Sequence, residues 1–231
     1  ELKKLIDVKV RCIRGFSAEE RFHYIAQDAS KFNNEFHHDA PSLKIWHQFD
    51  LNDFTGRGPK IGFPIFELDK FTDVEKHNLS YPDHLLVCSE WAKSIILKEI
   101  DRKEETVHVI PLGVDRETFK EESVDSGPTR FVNYGKWEVR KGHDVLIEAF
   151  NRAFTQDDDV ELFMSCDNFF LKPHQQREWV EFYQNTELGS KVKFIKRQED
   201  QLGVYNAMKD MDCGVFPARA EGWNLELLEM M

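Results

Sequence analysis

The stretch Cys213-Gly214-Val215-Phe216-Pro217-Ala218-Arg219-Ala220-Glu221-Gly222-Trp223-Asn224-Leu225-Glu226-Leu227-Leu228-Glu229 decides how this chain is read. Its first four residues form a short apolar run that suits a buried strand, and Leu225, Leu227 and Leu228 open an apolar helix face. The sequence therefore predicts a strand, a loop carrying Glu221 and Gly222, and a helix entered near Asn224, a good capping residue. Glu221 then stands in the loop at the carboxyl end of the strand, with Glu229 about a turn and a half into the helix. In an open α/β sheet, that crevice is where ligands bind.

A helix N-terminus suits a phosphate, because its N–H groups are unpaired and its dipole end is positive. An ionised carboxylate only accepts hydrogen bonds, so beside a phosphate it must address hydroxyl donors instead. The pattern suggests pyrophosphate on the backbone and sugar or ribose hydroxyls on the two Glu.

Working outward, strands and helices alternate. Strands are predicted over 130–134, 160–165, 192–195 and 213–216. Helices are predicted from about His143, from near Pro173, over 201–208 and at the end of the chain. Such alternation implies a parallel, doubly wound sheet. The polar run Glu121-Glu122-Ser123-Val124-Asp125-Ser126-Gly127-Pro128 reads as a linker, dividing residues 1–122 from 123–231. Before it, strands are predicted over 6–13, 43–46, 61–66, 85–88 and 107–110. Ser17 with Glu20 makes a capping box for a following helix, and Ser89 caps another over 90–98.

These stretches together carry a resemblance. Glu221 to Glu229 resembles the E-x7-E signature of the family 4 retaining glycosyltransferases, enzymes of the GT-B fold. Phe131-Val132-Asn133-Tyr134-Gly135-Lys136-Trp137-Glu138-Val139-Arg140-Lys141-Gly142 resembles that family's first donor-domain strand and loop, and the run from His143 to Phe150 its next helix. Ile110-Pro111-Leu112-Gly113-Val114-Asp115, with Phe119, is similar to the interdomain segment. The run 85–91 resembles the last strand and capped helix of the N-domain. Lys193-Phe194-Ile195-Lys196-Arg197 is similar to the strand whose following loop borders the nucleotide base.

The resemblance implies two Rossmann-like domains, both incomplete. Residues 1–122 would be a partial acceptor-side domain and 123–231 a partial domain binding a nucleotide-sugar donor. It implies transfer of a hexose from a nucleoside diphosphate sugar to an unknown acceptor, and a stretch internal to a longer enzyme that need not act alone. Glu221, Lys136 and Lys141 are the expected catalytic groups. Gly135, Lys136, Lys141, Arg197, Glu221, Gly222, Trp223, Asn224, Leu225 and Glu229 are the expected donor contacts, with Lys136 and Lys141 on the diphosphate, Glu229 on ribose and Glu221 on the sugar. His47 and Glu67, each at or just after the end of a candidate strand, are acceptor-side candidates. The alternatives are another GT-B enzyme, either a phosphorylase or a sugar-nucleotide epimerase, or a non-catalytic binding module.

The sequence departs from the family pattern at three positions. Lys136 replaces the commoner Arg, giving a point charge where a bidentate fork is usual. Asn224 stands where Gly is frequent. Glu226 stands where Pro or a small residue is usual, and is expected to face solvent.

Hydrophobic residues, at 41%, suffice for a core, and no apolar run approaches a membrane span. Cys12, Cys88, Cys166 and Cys213 are scattered and read as buried free thiols of a reducing, cytoplasmic setting. The formal charge of -11 argues against nucleic acid as a partner, so an anionic donor must be met by local cations, for which Lys136, Arg140 and Lys141 are the candidates. No cofactor or metal is expected: His37, His38, Asp39 and His47 lack any helical ligand spacing. Peripheral membrane contact through parts outside this stretch and the oligomeric state stay open. Gly56-Arg57-Gly58-Pro59-Lys60-Ile61-Gly62 is read as a mobile loop, because it precedes a strand where a phosphate loop follows one. Trp46, Trp91 and Trp137 are read as buried aromatics, and Asn78-Leu79-Ser80 as a chance sequon.

Overall fold

The computed structural model of the chain describes residues 5–11, 23–35, 37–121 and 127–231. It forms two compact units, residues 1–110 and 111–231.

The first unit carries helix α1 (His23–Glu35), strands β1 (Ser42–Trp46) and β2 (Lys60–Pro64), helix α2 (Asp73–Ser80), strand β3 (His84–Val87), helix α3 (Glu90–Glu99) and strand β4 (Val107–Val109). The four strands pair in parallel in the order β1-β2-β3-β4. Parallel neighbours need a crossover between them, and α2 and α3 supply two of these. Thr72 caps α2 through a reciprocal box with Glu75, and the Ser89 hydroxyl accepts the Ala92 N–H at 3.1 Å to start α3. Leu79, Leu85, Val87, Ala92, Ile96 and Val107 close one apolar core.

The second unit runs β5 (Thr129–Tyr134), α4 (His143–Ala153), β6 (Val160–Ser165), α5 (Pro173–Gln184), β7 (Val192–Phe194), α6 (Gln201–Met208), β8 (Cys213–Gly214) and α7 (Leu225–Met230). Its sheet is parallel, in the order β7-β6-β5-β8. Side chains alternate faces along a strand. Leu162 and Met164 of β6 accordingly join Leu146, Ile147, Phe150 and Tyr183 from α4 and α5. Val132 and Tyr134 of β5 join Met208 of α6, with Phe163 and Met230 packed against them. Two cores on opposite faces make the sheet doubly wound, as expected. The chain moves outward from β5 through β6 to β7, then returns to place β8 on the other side of β5. The strand order therefore reverses between β5 and β8, the point at which open sheets gather ligands.

Several expectations need correction. Residues 6–11 form no strand; Cys12 and Ile13, the Ser17–Glu20 box and most of the linker run lie outside the described residues. Cys88 and Cys166 are buried thiols, whereas Cys213 is exposed, because β8 closes one edge of the sheet. Trp137 is buried, yet Trp91 is exposed, since Ala92, Ile95 and Ile96 take the core face of α3. The glycine loop before β2 is a packing turn: a Cβ on Gly58 would come within 2.3 Å of the Ala40 carbonyl oxygen. Helix α2 went unread, although its capping box is written in the sequence.

Candidate functional site

The loops that leave β5 and β8 meet at the carboxyl edge of the second sheet. Gly142, with φ +73°, turns the first loop into α4. A Cβ there would stand 2.0 Å from the Pro217 carbonyl oxygen, so only glycine lets the two loops approach. The Arg219 N–H donates to the Arg140 carbonyl at 2.8 Å, and the Arg219 guanidinium forks onto Asp144 at 2.8 and 2.7 Å.

Between these loops lies a chain of alternating charges. Lys141 Nζ stands 2.7 Å from Glu221 Oε1 and 3.2 Å from Glu226 Oε1. Arg140 holds the other Glu221 oxygen at 3.1 Å, together with Glu138 at 3.1 Å and the Ala220 carbonyl at 2.7 Å. Lys136 closes the row on Glu138 at 3.3 Å. Burial depresses the Lys141 ammonium, but Glu221 and Glu226 outweigh it and hold the pKa above the ordinary lysine value. Lys136 and Lys141 are thus brought into one network with Glu221. Glu226 does not face solvent: the first turn of α7 carries it back across the loop onto Lys141.

The rest of the motif is less occupied. The Glu229 carboxyl is half-buried, and burial, with Glu226 adding to it, pushes its pKa up. Among the described residues it has neither a hydrogen-bond nor an ion-pair partner. The Trp223 indole N–H is buried and has no acceptor among the described residues. Asn224 caps α7 by accepting the Leu227 N–H at 3.1 Å, while the Leu225 and Leu228 N–H groups donate to the Trp223 and Asn224 carbonyls. The amides expected to cradle pyrophosphate are therefore largely engaged, and the cations remain its main attraction. Gly222 is buried beside them. Gly135, with φ +148°, lies where a Cβ would meet the Lys141 side chain at 3.4 Å.

Sequence reasoning missed the turn after β6. Asn168 is buried; its side chain donates to the Trp137 carbonyl at 3.0 Å and accepts the Phe170 N–H at 3.0 Å. This presents Phe169 and Phe170 outward, with Arg197 5.1 Å from the first ring and Lys136 5.1 Å from the second. The paired Phe residues at 169–170 were the available signal, but an apolar pair reads as core unless the turn is known. His143 is buried under the loop, its Nε2 on the Lys136 carbonyl at 2.9 Å, with the Trp137 ring 4.9 Å away. Burial lowers its pKa, and Lys141 adds to the effect.

On the first unit, His47 and Glu67 follow the neighbouring strands β1 and β2. His47 is exposed and stacks on Phe49 at 5.3 Å; Glu67 is partly buried. Among the described residues no group of three His, Cys, Asp or Glu could hold a metal ion, and no helix is long and apolar enough to cross a membrane.

The model of the family described as Glycosyl transferases group 1 matches residues 114–231, just over half of the chain. The chain belongs to this family. Its fold agrees with solved glycosyltransferases of the GT-B type, as the resemblance implies. Sucrose-phosphate synthase from Thermosynechococcus elongatus is 16% identical with a TM-score of 0.62, over 75% of this chain and 48% of that one. Anabaena HepE, solved with UDP, is 14% identical with a TM-score of 0.62, over 75% and 50%. The trehalose 6-phosphate synthase of Burkholderia multivorans is 14% identical with a TM-score of 0.60, over 75% and 49%. This glycosyltransferase-family chain spans about half the length of each. No curated protein sequence matches it.

Proposed function

We propose that the second unit is the donor side of a retaining glycosyltransferase, which moves a hexose from a nucleoside diphosphate sugar to an acceptor whose class is open. The observation that carries this reading is the 2.7 Å pair between Lys141 and Glu221 at the strand-order reversal. It joins a phosphate-binding cation and a hydroxyl acceptor from two separate loops. Lys141 and Lys136 offset charge developing on the departing diphosphate, a form of preorganised stabilisation that commonly dominates catalysis. Glu221 accepts from the sugar. Glu229, which has no protein partner among the described residues, accepts from the ribose, and the Trp223 N–H donates to an oxygen of the donor.

No metal or cofactor is needed if the lysines carry the phosphate charge. His47 and Glu67 are the proposed acceptor contacts. UDP in the HepE structure supports a nucleoside diphosphate as ligand. The charge of -11 supports a reading without nucleic acid, and the buried thiols support a reducing, cytoplasmic setting.

A thermal-shift panel of UDP, GDP, ADP and their sugars tests the reading. Binding stabilises the folded state by RT ln(1 + [L]/Kd), about 2.7 kcal/mol at a hundredfold excess over Kd. At least one diphosphate and its sugar should raise the melting temperature. A flat panel on folded protein, or a response to sugar 1-phosphate and inorganic phosphate alone, contradicts it and, in the second case, favours a phosphorylase.

A further inference from the structure

We propose that Glu226 is a built-in competitor for the diphosphate: its carboxylate holds Lys141 where a phosphate oxygen of the donor would, and donor binding displaces it. The inference rests on the donor reading above.

The two carboxylates on Lys141 are not equivalent. Glu221 makes the shorter contact, 2.7 Å, and is also gripped by Arg140 at 3.1 Å, with its side chain 17% exposed. Glu226 stands at 3.2 Å with its side chain 27% exposed, and Lys141 is the one cation paired with it among the described residues. Glu221 is therefore anchored, and Glu226 is the group that can leave. Lys141 itself is only 11% exposed, so it cannot swing into solvent to meet a ligand. An incoming anion must take the place of a carboxylate.

The charges set the cost of this exchange. Among the described residues, Lys136, Arg140 and Lys141 face Glu138, Glu221 and Glu226, so these six groups carry no net charge together and attract an anion weakly. A diphosphate brings more charge than the single carboxylate it displaces and gains from the exchange. A monoanion of similar size only breaks even. Glu226 thereby lowers affinity for every anion that must displace it, and a diphosphate has the charge to do so.

Calorimetric titration of inorganic pyrophosphate and of acetate into wild type, Glu226→Gln and Glu226→Ala tests this, with UDP, GDP and ADP run on the same proteins. Circular dichroism confirms that each is folded, and Gln keeps the shape should Ala perturb α7. Both variants should bind pyrophosphate about tenfold more tightly than wild type, the scale of one charge-assisted hydrogen bond. The gain for pyrophosphate should be at least as large as that for acetate, which carries less charge. Wild-type binding of pyrophosphate with no gain in either variant overturns this inference and leaves the donor reading standing. Failure of all three folded proteins to bind pyrophosphate or any of the three nucleotides overturns both.

Discussion

At Lys141, stability and the proposed diphosphate binding rest on one ammonium. Lys141→Met keeps the length of the side chain but leaves Glu221 and Glu226 crowded together, so unfolding in denaturant should show a loss of about 2 kcal/mol. His143 gives a pH dependence with a definite sign. Its folded pKa is lowered by burial, so between that value and the unfolded value of about 6.5 the unfolded chain holds the extra proton. Its contribution is complete above about pH 6.5 and is lost as pH falls towards the folded pKa, by up to about 1.4 kcal/mol per unit. His143→Gln should flatten stability between pH 7 and 5 as measured by urea titration; an unchanged slope would assign the dependence to other groups. The network that joins Lys136, Lys141 and Glu221 could be picked out of the sequence because residue type and place in a motif name its members, while their roles towards a ligand are proposals. Glu226 was misread, because its partner lies 85 residues upstream and helical periodicity gives a face but not a neighbour.

Elements were legible where a local signal matched the tertiary setting. Strand β5 and helix α4 emerged at nearly their observed bounds, because alternation, an apolar stripe and the Gly142 turn agree. The alternation over residues 6–11 formed no strand, since a period of two needs a paired neighbour to become one. Contact between the β5 and β8 loops invites two substitutions. Gly142→Ala adds a Cβ 2.0 Å from the Pro217 oxygen at a left-handed φ, and should cost about 3 kcal/mol in equilibrium unfolding. A cost below 1 kcal/mol would show that the loops move apart freely. The Arg219 fork holds Asp144 well below the ordinary carboxylate range, at about 2. The stability it contributes is present above about pH 4 and is lost as pH falls towards 2. The pair is exposed, so the effect should be small and screened by salt. Asp144→Asn should remove that acid limb, and no change in it would place the limb elsewhere.

For the whole molecule, alternation of strands and helices gave the parallel sheet of the second unit, and the resemblance implied the two α/β units. Alternation did not give the strand order, because the return of β8 to the side of β5 is written in no local pattern. That reversal places Lys141 beside Glu221, and with it the proposed donor site. The most direct test is calorimetric titration of UDP, GDP and ADP, each beside its nucleoside, into wild type and Lys141→Met. One diphosphate should bind wild type and lose about ten- to a hundredfold in affinity in the variant, while its nucleoside changes little. An unchanged diphosphate affinity in folded Lys141→Met, or an equal loss for the nucleoside, would contradict a diphosphate seated on this network.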